Sequence, residues 1–496
     1  MMMKKIPANS PVSPSQARLT FIGCLLLAVS MSAFGLSLAN IQTAALESMN
    51  GLGSFSLITT LCSAALCVMT PIGGSLMDMI GIKKVVLIFG LATCLCALAL
   101  VFTTNLYLYM ILRILLSAAQ GAFASVPFVE VRKLYPVNKV PTMTGYLSGA
   151  LALGGFLGSW MAGWFLDHQM IGLASCFPVI LVAGGIFMIY RFGPADSLVK
   201  RKMDVLGIFL LALTLLGLSF ALNDGPVFGW TSTRVWIELA IFLAGLAGLA
   251  GLLYWEKKCS YPLIPLYIFK NGAYDLLLII AALLVVYLTA INVYVPQALQ
   301  KLMGQPASIS GTVQIPRTIL SVIVPGIAGA WVARKTGNTW RALAVSAVLL
   351  IVSCSCLVFI GPRMPIWFVF AVLALTGAAD SFRTVATMPA AQSLLQPQDL
   401  GVGTSMVGFV ISLSGVLASA IYSIAYNSLI QATPGDRGLT DGIDTVLLIS
   451  AACALIAFVL DVFFFRKMYV KALDKAHPAM VANPVSKPSS DRPERS

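Results

Sequence analysis

Apolar runs of about 20 residues recur along almost the whole chain. Each is long enough, as a helix, to cross a hydrocarbon core of about 30 Å. Fourteen are expected, at 20–41, 55–77, 85–102, 106–129, 142–165, 171–189, 205–222, 235–253, 273–295, 309–332, 342–360, 366–389, 403–429 and 445–465. The implied fold class is an all-α membrane protein with 14 transmembrane helices. Composition agrees, since 58% of residues are hydrophobic and only 10% charged. A soluble chain carries about 25% charged residues, so an enzyme or nucleic-acid binder with a large water-facing surface is excluded.

The net charge of +13 reads as an orientation signal, because Lys and Arg concentrate in cytoplasmic loops. With the N-terminus inside, only Arg234, Lys301, Arg363 and Arg437 of the 32 Lys and Arg fall in outer loops. Arg113, Arg317 and Arg383 lie within spans, and all the others are cytoplasmic. Both termini are thus expected in the cytoplasm, with the chain in a cytoplasmic (inner) membrane. Attraction to anionic membrane lipid is a by-product, and no nucleic-acid partner is needed.

The expected organisation is a cytoplasmic segment 1–19, a six-helix bundle 20–190, a linker 191–272 with two extra spans, a second six-helix bundle 273–470, and a disordered cytoplasmic tail 471–496. The longest cytoplasmic links carry Lys200-Arg201-Lys202 and Glu256-Lys257-Lys258. A short repeat joins the outer sixes. GGSLMDMIGIKK follows span 2 and GAWVARKTGNTWR follows span 10, and aligning Gly81 with Gly337 puts Arg334 where Asp78 stands. Duplicated bundles that rock about a central site are a common transporter design.

Gly74-Ser-Leu76-Met-Asp78-Met-Ile-Gly81-Ile-Lys83 resembles the G-x-L-x-D-R-x-G-R-K loop of the major facilitator superfamily, with Met79 and Ile82 in place of its arginines. Fourteen spans, Gly229-Trp230 and the string from Glu256 to Asn271 look like its 14-helix drug:proton antiporter branch. The resemblance implies a cytoplasmic gate built from Gly74, Asp78, Gly81, Lys83 and Glu130. Asp78 would sit at the positive start of span 13, near Gly403, and Glu130 could hold Lys83.

Elsewhere the chain departs from that pattern. Span 1 lacks the acid of D-x-T-I-V-N, keeping Asn40 in Gly35-Leu-Ser37-Leu-Ala-Asn40. Span 5 lacks the branch's proline, although Gly145, Gly149, Gly154, Gly158 and Gly163 form a small-residue packing face. Span 4 has Arg113 and then Gln120-Gly121, with Ser117 in the slot the family gives to arginine.

Charges inside a membrane cost about 2.5–3.5 kcal/mol on insertion scales, so they are functional suspects. They are Arg113, Arg317, Asp380 and Arg383, whereas Asp461 is expected at an interface. Asp380 and Arg383 share one side of span 12 and can neutralise each other. Asn40 and Gln120 could add hydrogen bonds to the cavity. Three arginines against one aspartate form a poor lining for a lipophilic cation.

No nucleotide-binding loop, catalytic constellation or metal cluster is present, and the two histidines, His168 and His477, lie far apart. The expected function is proton-driven transport of small organic molecules, of the multidrug-efflux, drug:proton antiport type. It would run as a monomer on the proton motive force, without a cofactor. The alternative is a proton symporter taking up an organic anion. A non-transporting membrane sensor or enzyme is the remote one.

Overall fold

The computed structural model describes residues 13–51, 54–194, 205–229, 231–256, 268–305, 314–335, 337–361, 364–433 and 435–476. Expectations for Lys200-Arg201-Lys202, Lys257-Lys258, Trp230, residues 1–12 and residues 477–496 lie outside them. The described chain is helical, with no strand among those residues. Chain order gives α1 (Pro14–Ser48), α2 (Phe55–Ile80), α3 (Ile82–Val101), α4 (Leu106–Leu134), α5 (Val140–Asp167) and α6 (Ile171–Phe192). There follow α7 (Val205–Phe228), α8 (Thr233–Glu256), α9 (Gly272–Lys301), α10 (Ile315–Arg334), α11 (Asn338–Leu357), α12 (Ile366–Ser393), α13 (Leu400–Ala432) and α14 (Arg437–Ala472).

Twelve of these are long and apolar enough to cross a membrane among the described residues; α7 and α8 fall outside that number. The apolar stretch described in α7, Leu206–Ala221, is shorter. The two still form a close pair. A Cβ on Gly217 would collide with the backbone of Phe242, and one on Gly245 with Thr214. The pair seats α7 against α2 and α13.

Helix ends reach beyond the apolar runs at both termini. α1 begins at Pro14 because Ser13 caps it, its hydroxyl accepting from Gln16 N at 3.2 Å while the Gln16 side chain reaches back. Residues 471–476, expected as the start of a disordered tail, instead continue α14's helix to Ala476. Hydropathy marks where lipid ends, whereas a polar, amphipathic turn can remain helical.

In the first half, α1 packs on α5 and α6, α2 on α4, and α3 on α4 and α6. In the second, α10 and α11 pack on α12, and α13 and α14 on each other and on α9. The halves meet through α5 against α10 and α12, and α2 against α13. The even alternation of helices brings Lys83, Arg132, Lys139, Arg334, Lys335, Arg341 and Arg466 to one end, called here the basic end.

Candidate functional site

Arg383 donates through Nε and Nη2 to Asp380 Oδ1, at 3.0 and 2.6 Å, as two side chains one helical turn apart can. The arginine side chain is 8% exposed and the aspartate 24%, so the carboxylate is the member that meets open space. Gly377, one turn earlier, lets α10 approach so closely that a Cβ there would strike the Arg317 carbonyl. Arg317 is thereby brought beside the pair. Tyr287 of α9, wholly buried, places its hydroxyl next to both Asp380 and Arg317. Sequence reading missed Tyr287, because one tyrosine in an apolar run carries no sign of what it faces.

The three charged groups, but not Tyr287, border a cavity of about 490 Å³ between the two halves, within the usual range for drug-sized ligands. Arg317, Asp380 and Arg383 are its charged lining. Hydroxyls of Ser32, Thr70, Ser125, Ser148 and Ser412 and apolar Met31, Leu36, Phe156 and Ile411 make up much of the rest. Among the described residues Arg317 makes no ion pair, so the lining carries one uncompensated positive charge.

The halves close on each other toward the basic end. Asp78 Oδ2 accepts from Val402 N at 3.2 Å, in the first turn of α13, where helix N–H groups lack internal partners. Beside it Ser125 and Ser405 hydroxyls bond at 2.5 Å, and Gln392 Nε2 donates to the Phe128 carbonyl at 2.9 Å. Glycines permit this approach. A Cβ on Gly74 would meet Ser405, one on Gly145 the Pro325 carbonyl, and one on Gly329 that of Pro141. Gly81 has φ of 92°, which turns α2 directly into α3. Away from the basic end Gly163 and Gly415 face nothing within 4 Å.

Gly154 and Gly158, expected with the others on one packing face, instead pack within the first half, against the Val29 and Ala33 carbonyls of α1. Gly149 and Gly145 serve the contact between halves.

Three expected cavity residues do not line the cavity. Arg113 is 6% exposed and donates through Nη2 to Gln42 Oε1 at 2.8 Å; Gln42 in turn donates to Thr59 Oγ1 and the Phe55 carbonyl. The arginine is thus spent joining α1, α2 and α4. Gln120 is buried one turn along α4 from the lining residue Ala124. Asn40 is exposed, one turn from the lining residue Leu36.

Of the other gate residues, Glu130 is 1% exposed and near Cys24, while Lys83 runs alongside Gly193 at the end of α6. Asp461, expected at an interface, is 1% exposed and lies within a π turn at Leu460–Phe465.

A family model described as Major Facilitator Superfamily matches residues 20–419. The chain is 27% identical over 316 residues to the multidrug transporter protein MdtP of Bacillus subtilis, a match covering 60% of this chain and 55% of that protein. It thus spans about half the length of that relative. Multidrug resistance protein 3 of the same organism is 25% identical over 431 residues, covering 84% and 81%. Among solved structures, the human organic anion transporter MFSD10 superposes with a TM-score of 0.63 at 12% identity, covering 91% of this chain and all of that one. A bacterial homologue of the iron transporter ferroportin, in an outward-facing state, gives 0.62 at 12% identity, covering 92% and 99%. At such identities the likeness is one of fold.

Proposed function

The chain belongs to the major facilitator superfamily, and from that premise we propose that it is a proton-driven exporter of small organic molecules, working by drug:proton antiport. The efflux reading draws on the names of its multidrug relatives. In this reading all fourteen helices, α7 and α8 included, cross the cell's inner membrane. The basic end and both termini face the cytoplasm. Bundles 20–190 and 273–470 rock about the cavity, with 191–272 between them, and a monomer suffices.

The observation that carries the proposal is the Asp380–Arg383 pair at a cavity of cargo size. As an ion pair it is neutral, which makes its place within the membrane tolerable. A proton that reaches the Asp380 carboxylate neutralises it and releases Arg383. A cargo that takes the carboxylate in turn displaces the proton, and the two species exchange. A potential of about 100 mV and one pH unit supply about 3.7 kcal/mol per proton, a gradient of about 500-fold. No bound cofactor is required. Asp78, Lys83 and Glu130 serve the cytoplasmic closure, which opens when the halves swing.

Arg317 favours a second reading, proton-coupled uptake of an organic anion. Its guanidinium stands unpaired among the described residues beside Asp380. An anion neutralising it would favour protonation of Asp380, so anion and proton would travel together.

Purified protein in liposomes with an imposed pH gradient separates the two. Cargo that accumulates as the proton gradient runs down in the opposite direction supports antiport, and parallel entry of cargo and protons supports uptake. Full proton-driven accumulation by Asp380→Asn would overturn both.

A further inference from the structure

The second copy of the loop repeat carries a side chain that this transport cycle does not use. Arg334 ends α10 at the position matching Asp78. Asp78 turns inward to the start of α13, where a negative group complements the helix. The corresponding helix start in the other half belongs to α5, whose Pro141 carbonyl lies against Gly329. A guanidinium has the wrong sign for that place. Arg334 is exposed instead, and makes no hydrogen bond or ion pair with the described residues.

It stands at the mouth of a separate cavity of about 640 Å³ among α10, α11 and α12. Gly326, Ile327, Val345 and Phe382 make the walls apolar, and no carboxylate lines them. From Gly326 to Arg334 the trench follows α10 for about 12 Å toward the middle of the membrane. Trp331 borders the mouth and is fixed there. Its ring meets Phe382 edge-on at 6.1 Å, and its carbonyl accepts from Asn338 Nδ2 at 2.7 Å. The surroundings are cationic, with Lys335 exposed next to Arg334 and Trp340 between Arg341 and Arg466 at 5.5 and 4.8 Å.

We infer that this cavity holds an anionic phospholipid of the leaflet at the basic end, its phosphate on Arg334 and one acyl chain in the trench. An apolar trench alone accepts any acyl chain. The unpaired guanidinium at its mouth selects a phosphate with no ammonium of its own to offset it. Trp331 lies at the level of the headgroup, where amphipathic rings are at home. The lipid bridges three helices of the second half beside Gly326, which faces Tyr146 of α5 across the contact between halves.

The test uses full-length protein purified in mild detergent, incubated with phosphatidylglycerol or phosphatidylcholine, separated from free lipid and examined by native mass spectrometry. Phosphatidylglycerol is retained about fivefold better by the wild type, the factor that about 1 kcal/mol per surface cation represents. Arg334→Gln brings it down to the phosphatidylcholine level, Arg334→Lys keeps part of the preference, and Lys335→Gln keeps most of it. Excess glycerol phosphate leaves the lipid bound. Equal retention of the two lipids by the wild type would overturn the proposal. So would unchanged retention in a monodisperse Arg334→Gln variant, equal losses at Arg334 and Lys335, or displacement of the lipid by glycerol phosphate.

Discussion

Asp78 and Val402, 324 residues apart in the chain, are joined by a 3.2 Å hydrogen bond from the Val402 backbone N–H to the Asp78 carboxylate. The bond ties α2 to the first turn of α13, and so one half of the molecule to the other. It rests on the carboxylate's charge as much as on its shape, since helix starts favour anions by about 0.3–2 kcal/mol.

Asp78→Asn keeps the side chain's outline and removes that charge. The closed arrangement should lose about 2-fold to 30-fold in population relative to its open alternative. Spin labels at exposed positions 84 and 335, in a background without native cysteines, should report longer distances at the basic end. An unchanged distance distribution counts against the helix-start contact as a latch.

Gln392→Leu removes the donor that reaches the Phe128 carbonyl and Thr404 Oγ1. A buried polar group left without its partner costs about 1–3 kcal/mol. The same pair of labels should separate in the same direction as in Asp78→Asn.

Gly145→Val and Gly163→Val place the same bulk on one helix in different surroundings. At 145 a Cβ would lie 2.3 Å from the Pro325 carbonyl, and at 163 it meets nothing. Overpacking of about 1–3 kcal/mol is expected at 145, with transport lost while the protein remains folded. Transport at wild-type rate in Gly145→Val would mean that the halves need not meet there.

Arg383→Gln takes from the Asp380 carboxylate its bonded partner and leaves only Arg317 beside it, whereas Asp380→Asn with Arg383→Gln leaves two neutral groups. Removing one partner of a buried pair typically costs about 3–5 kcal/mol. The single variant should therefore unfold at a lower temperature than the double in detergent, measured by thermal scanning. A double variant less stable than Arg383→Gln would show that the pair's charge complementarity is not what matters.

Much of this architecture was readable from periodicity and charge. The apolar runs locate the helices within several residues, and the three-residue spacing of Asp380 and Arg383 foretells their bond. The direction a polar side chain faces was not readable. Arg113 and Arg317 look alike in sequence, both lone arginines in apolar spans, yet one is held by Gln42 and the other borders the cavity. The difference lies in α1 and in Gly377, each far from the arginine in sequence or on another helix. The burial of Asp461, within the π turn Leu460–Phe465, likewise has no sign in the sequence.

Closure at the basic end combines backbone contact at glycines 145 and 329 with side-chain bonds from Asp78, Ser125 and Gln392, while much of the cavity wall is made of side chains such as Leu36, Phe156 and Ile411. Apart from Ser125 and Phe128, the residues of that joint lie outside the cavity lining. Point mutations can retune what is carried while leaving the joint intact, so a lineage of such chains is free to diversify its cargo faster than its mechanics.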